Sequence, residues 1–281
     1  MYKYLLAPAL AGAFFSASAQ ELYPWTEPAS NMPSRSVSAK ATGMFMRSVH
    51  DDRVKQRYMP EVMFGLNKKW MLHGALTFSD MYSGSLSYEA ARAYAKYRFL
   101  SRDEVHRHFR MAAFAATAWS RAPLERNDIN LWGDGSGVQG GLIATQLVDR
   151  WAFSATGSLL ELLPKDRWEK ETSGRYAWEA LQYSLSAGVL LLPRQYTDYN
   201  QTNLNLYVEL LGHRNLRFPS EKYYVDLAPS LQLIFRSTAK LSAGYRFEAG
   251  GDIRRLSKGQ VMVSYEQIFL NALGKGRRKS K

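Results

Sequence analysis

The sequence predicts an all-β protein, a transmembrane antiparallel β-barrel of about 12 strands joined in up-and-down order. Three observations carry that prediction. Apolar and polar residues alternate with a period of two, the connections between runs alternate short and long, and the chain opens on an export signal.

The alternation is the strongest of the three. Leu204, Leu206, Val208 and Leu210 interleave with Asn203, Asn205, Tyr207 and Glu209, and Val62, Phe64 and Leu66 interleave with Glu61, Met63 and Asn67. Successive side chains of a strand point to opposite faces, whereas a helix repeats every 3.6 residues or so and would scatter these positions around its axis. A tilted membrane strand needs roughly 9–11 residues. Runs of that order fall at 36–48, 57–67, 69–79, 90–100, 105–119, 138–148, 150–162, 178–192, 203–212, 222–236, 238–248 and 259–270. Only every second residue of such a strand meets lipid, so the negative mean hydropathy of the chain is compatible with a spanning barrel. Soluble sandwiches and lipocalin-like barrels also alternate, but their strands are shorter, about 5 or 6 residues.

Connection lengths give a second test, because barrels of this class alternate short turns with long loops. Short joins fall at Lys68, at 101–104, at Asp149 and at Ser237; longer ones fall at 49–56, 80–89, 121–137, 163–177, 213–221 and 249–258. The segment 193–202 is the misfit, since it occupies a turn position with the length of a loop. Interface aromatics give a third test. Trp70 and Trp151 open strands at the turn end and Trp119 closes one at the loop end, all on the expected lipid face, whereas Trp178 has the opposite parity.

The start of the chain sets the compartment. Lys3, the apolar stretch from Leu5 to Phe15 and the small residues Ala17-Ser18-Ala19 read as a secretory signal cleaved after Ala19. That apolar stretch is too short for a membrane-spanning helix, which needs about 20 residues. The expected organisation is a signal peptide at 1–19, an N-terminal periplasmic segment at 20–35, the barrel at 36–270 and a basic tail at 271–281, in the outer membrane of a Gram-negative cell. The absence of cysteine excludes disulfides, thiolate metal sites, a thiol nucleophile and a lipid-modified cysteine. A net charge of +12 raises nucleic acid as a partner, but an exported chain has little access to it. The expected partners are outer-membrane lipid, the barrel-assembly machinery and a small solute. The run Val261, Val263, Tyr265 and Phe269 resembles the terminal strand that assembly machinery recognises, although twelve further residues follow it.

Lumen-facing positions supply the functional expectations. By parity the interior includes Lys40, Glu61, His73, Arg92, Lys96, Arg98, His106, His108, Arg110, Glu209, Asp226, Lys240, Arg246, Glu248 and Glu266. Arg92, Lys96, Arg98 and Arg110 come from neighbouring strands and form a basic patch, which would bias a pore toward anions. The acids Glu61, Glu209, Asp226, Glu248 and Glu266 are available to pair across the bore and fill it, since buried charges persist only when paired. Open pore and filled barrel are both compatible with this list.

Other chemistries are weaker. His106 and His108 are the only metal-like grouping, two residues apart and so on one face of a strand, but flanking arginines disfavour a cation and no metal or other cofactor is expected. An outer-membrane phospholipase is the enzyme alternative; no G-x-S-x-G is present, and His50 and His213 fall in loops without an evident serine partner. No catalytic residue is therefore assigned. Gly133-Asp134-Gly135-Ser136-Gly137 reads as a flexible extracellular loop, lacking the Lys-Ser/Thr of a phosphate-binding loop. Loops 121–137 and 163–177, with Trp132 and Trp168, are where a closed barrel would bind surface partners.

The segments Glu21-Leu22-Tyr23-Pro24-Trp25-Thr26-Glu27-Pro28-Ala29-Ser30-Asn31-Met32-Pro33, Arg57-Tyr58-Met59-Pro60-Glu61-Val62, Gly65-Leu66-Asn67-Lys68-Lys69-Trp70 and Tyr97-Arg98-Phe99-Leu100-Ser101-Arg102-Asp103, with His106-Arg107-His108-Phe109-Arg110, resemble a family of uncharacterised outer-membrane β-barrel proteins of Bacteroidetes. That family is loosely similar to transporter-like barrels of the phenol-degradation type. The resemblance implies a channel- or transporter-like barrel in the outer membrane and supplies no substrate or catalytic residue.

Overall fold

Lipid offers backbone amides no hydrogen-bond partner, so a sheet can cross a bilayer only if its first and last strands meet. The computed structural model, which describes residues 23–123, 127–164, 176–193 and 200–274, meets that requirement. Its strands are β1 (Ser36–Arg47), β2 (Val54–Gly65), β3 (Trp70–Ser79), β4 (Ser87–Asp103), β5 (Arg107–Ser120), β6 (Gly137–Val148), β7 (Trp151–Leu162), β8 (Glu179–Leu192), β9 (Asn203–Leu216), β10 (Tyr223–Phe235), β11 (Ala239–Gly251) and β12 (Gly259–Phe269). Each pairs antiparallel with its sequence neighbours, and β1 closes on β12 from Val37↔Phe269 to Met46↔Gln260.

The sequence expectation of twelve strands holds, and the differences are local. β4 runs three residues beyond its expected end, to Asp103, carrying one bulge against β3 and another against β5. β9 reaches Leu216 and so takes His213 out of the loop assigned to it. The 193–202 connection joins the end of β8 to the start of β9 at the short-turn end, so its length leaves the count unchanged; residues 194–199 lie outside the described residues. The tightest joins use left-handed backbone on ordinary side chains. Arg236 and Ser237 have φ of 48° and 55°, with Thr238 N donating to Phe235 O, the twist-matched geometry that two-residue hairpins prefer.

Alternation resolves into two surfaces. Leu72, Leu142, Leu185, Val208 and Val263 face outward and are exposed, as lipid-facing residues of an isolated barrel are. Trp70 and Trp151 lie on that face at the short-turn end and Trp119 at the long-loop end. Trp178 points the other way because it belongs to the barrel mouth, packing on the cluster that includes Ile129, Leu131 and Leu162. A charge placed on the lipid face near the bilayer midplane costs about 2–4 kcal/mol. Leu185→Arg, at the middle of β8, is expected to lower folding stability by that amount; denaturant unfolding in lipid vesicles measures it, while Ser186→Ala on the inward face of the same strand should cost less.

Candidate functional site

Eight strands close around a bore that wall side chains can fill; twelve leave space. Here the chain fills part of it with its own N-terminal segment. Tyr23 to Met32 cross the interior near the short-turn end, with Pro28 to Met32 buried. Three prolines, at 24, 28 and 33, suit this segment to an extended path outside any ladder, because proline has no amide proton to donate. Small residues let it lie against the wall: Ala29 packs with Ala112 and Ile143, and its amide donates to Thr145 Oγ1 at 2.8 Å.

Charge fixes the segment in place. The Lys96 ammonium, fully buried, donates to Glu27 Oε2 at 2.9 Å, Pro28 O at 2.8 Å and Ser30 O at 3.0 Å. Arg110 donates to Ser30 Oγ at 2.8 Å. Across the bore Glu209 accepts from the Trp25 amide at 3.0 Å and from the Thr26 hydroxyl, while Trp25 Nε1 donates to Ser230 Oγ at 3.0 Å. Tyr23 ends the crossing edge-on to Tyr207, with ring centres 5.5 Å apart. Burial pushes the Glu27 carboxyl up, but Lys96, His73 and Lys40 outweigh it and hold the group below the ordinary carboxylate range.

Above this floor is a cavity of about 300 Å³, bounded below by Tyr23 to Glu27 and lined by wall residues such as Met59, His73, Arg92 and Tyr224. Its mouth is shaped by the β5–β6 connection, which folds inward. Asp134 receives Arg57, Asn130 Nδ2 and the Tyr82 hydroxyl. Burial pushes that carboxyl up, but the Arg57 charge and these three donors hold it low. Gly133 is obligatory there, since its φ is +152° and a Cβ would stand 2.6 Å from Glu89 Oε2. The flexibility read into Gly133 to Gly137 is therefore corrected: Asp134 anchors this connection inside the mouth, and Gly137 opens β6. A second cluster holds the β11–β12 connection, where Arg255 grips Asp226 at 2.7 and 2.8 Å and Glu248 at 2.8 Å.

The expected lumen residues sort accordingly. Lys96 and Arg110 of the basic patch are taken up by the floor, and Arg110 also reaches Asp103 at 3.1 Å. Arg92 faces the cavity, with its guanidinium 4.0 Å from the Trp132 ring centre and 5.3 Å from that of Tyr94. Arg98 is half-buried and makes no ion pair within 4.0 Å among the described residues. Every expected acid has a partner: Glu61 with His73 at 2.6 Å, Glu209 with the floor, Asp226 with Arg246 and Arg255, Glu248 with Arg255 and Lys258, and Glu266 with Lys240 at 3.0 Å and Ser38 at 2.7 Å.

The two histidines proposed as a weak metal pair are separated. His106 precedes β5 in an exposed turn, 3.3 Å from Asp149, so its inward assignment is corrected; His108 sits at the rim, 2.8 Å from Asp103. Among the described residues no cluster of three metal-ligating side chains occurs. His213 lies buried in β9, hydrogen-bonded to Asn215 at 2.8 Å and stacked on Tyr224. Trp168, the signal segment and the tail from 275 onward lie outside the described residues.

Sequence reasoning missed Glu27, Arg57, Asp134 and Arg255 as structural charges, and missed the entry of Tyr23 to Met32 into the barrel. A proline-rich, non-alternating stretch directly before β1, with one acid and several small residues, was the available signal.

Removing one partner of a buried ion pair costs about 3–5 kcal/mol because the other is left uncompensated. Lys96→Met should therefore release the floor segment. The chain has no cysteine, so Asn31→Cys, buried in the wild-type barrel, gives a single reporter: maleimide labelling should be slow in the otherwise wild-type chain and fast with Lys96→Met added.

No family model matches the sequence, and no curated protein matches it. The fold does have solved counterparts. An outer-membrane channel from Pseudomonas putida F1 aligns over 87% of this chain and 100% of its own, with 12% identity and a TM-score of 0.56. The KdgM porin aligns over 83% and 99%, with 9% identity and a TM-score of 0.46. OccK11 of Pseudomonas aeruginosa aligns over 84% and 68%, with 9% identity and a TM-score of 0.40. At these identities the likeness is one of fold, a closed antiparallel β-barrel.

Proposed function

We propose that this protein is an outer-membrane channel for small solutes, with the short-turn end periplasmic and the N-terminal segment as a movable constriction. The observation that carries the reading is the solvent-accessible, mixed polar and apolar chamber inside a closed barrel, floored by a segment that no strand ladder holds. A barrel built only as a surface display would have no need of a lined chamber. The resemblance to transporter-like Bacteroidetes barrels points the same way, and so does the Pseudomonas putida channel that shares the fold. An anion preference follows from Arg92 and Arg98, the two cations of the basic patch that the floor does not occupy.

The floor sets the conductance. In planar bilayers the wild-type protein should give small unitary currents, and Lys96→Met should enlarge them several-fold, with a reversal potential in a KCl gradient that favours chloride. Absence of conductance in both proteins would overturn the channel reading.

Acidity should act through Glu27. Its folded carboxyl titrates below the ordinary value of 4.5, so its anchoring contribution is complete above that value and is lost as the pH falls through the depressed one. Conductance is thus expected to rise only as the pH falls below 4.5, and Glu27→Gln should show the enlarged conductance already at pH 7.

A further inference from the structure

We infer that the chamber holds a binding site for a small organic carboxylate with an apolar body, organised by Arg92. The inference rests on the channel reading and deepens it by naming the class of solute.

The cations around the chamber differ in one respect. Arg57 meets Glu89 at 3.2 Å and also Asp134, Arg246 and Arg255 share Asp226, and Lys96 holds Glu27. Arg92 has no carboxylate oxygen within 4.0 Å and no hydrogen bond among the described residues, and its Nε is buried without a partner. Its position is nonetheless built. The guanidinium lies over the Trp132 and Tyr94 rings, which attract a cation through their faces and leave its in-plane N–H donors free.

Space is provided on both sides. The ladder partners of Arg92 are Ala75 on β3 and Ala118 on β5, so no large inward side chain flanks it. The guanidinium is partly open to the chamber, with the Glu61 and Glu27 charges beyond 4.0 Å, and the planar fork matches a carboxylate through two parallel hydrogen bonds. The remainder of such a ligand also has a surface to meet. Met44 and Met46 on β1 and Met59 on β2 line the same cavity, and unbranched thioether side chains adapt to apolar shapes. A cavity of about 300 Å³ lies at the small end of ligand pockets, roughly 300–1,000 Å³.

Hexanoate is a suitable probe, with acetate lacking the apolar body and hexylammonium reversing the charge. Calorimetric titration of the purified full-length barrel in non-ionic detergent should show saturable hexanoate binding, no saturation with hexylammonium, and at least tenfold weaker acetate binding. Arg92→Gln should weaken hexanoate at least tenfold, and Arg92→Lys should fall between, keeping the charge without the fork. Heat-modifiable migration on gels verifies that each variant is a folded barrel. Hexanoate binding equal in wild type and Arg92→Gln, equal binding of hexylammonium, or no saturable hexanoate binding to wild type would each overturn the site. Permeation of a neutral pentose into proteoliposomes by the wild-type protein is measured in parallel. Its absence would overturn the channel reading, while the Arg92-dependent titration would still support the carboxylate site.

Discussion

Closure of the hydrogen-bonded ladder between β1 and β12 is the constraint on which everything else depends. A sheet in lipid cannot leave an edge unpaired, so twelve strands must meet, and meeting fixes the bore. That bore is too wide for wall side chains alone to fill. What enters it is therefore decided by what the chain can supply without strands: a proline-interrupted segment from one end and an inward-folded loop from the other. Both are tied by charges that would be costly to bury alone, Lys96 with Glu27 at the floor and Arg57 with Asp134 at the mouth.

The two ends differ in a way that bears on transport. At the mouth, Asp134 and Asp226 each gather donors from two elements, joining loops to strands with several bonds apiece. At the floor, the segment is held by one ammonium, one arginine and a few single hydrogen bonds, and its backbone joins no ladder. The mouth is thus tied by several bonds converging on single carboxylates, and the floor by contacts spread along its length. Glu209 illustrates the balance: fully buried and with no ion pair among the described residues, it accepts from Trp25 and Thr26 of the segment and, at 3.3 Å, from Ser186 of β8.

Much of the architecture was legible because a period of two is hard to counterfeit over a dozen runs. Strand number, closure order and the outward placement of Trp70, Trp119 and Trp151 followed from it. Parity also named the inward charges, with His106 the error, since it lies in the turn before β5 where alternation no longer applies. The interior was less legible because its partners are distant in sequence. Nothing local links Glu27 to Lys96, or Arg57 to Asp134; only closure of the barrel brings them together. The basic patch was real as a list of residues and incomplete as an electrostatic feature, since the floor segment takes up Lys96 and Arg110 and leaves Arg92 facing the cavity.

In the proposed function, solute crosses this barrel past a floor segment that must move. Ala29 and Ala112 pack in one buried cluster, and a chain without cysteine permits a clean cross-link between them as Ala29→Cys and Ala112→Cys. Sugar-driven swelling of proteoliposomes containing this double variant is the most direct measurement. Swelling should stop when the disulfide forms and return when it is reduced. Swelling at the same rate in both states would contradict the proposed function.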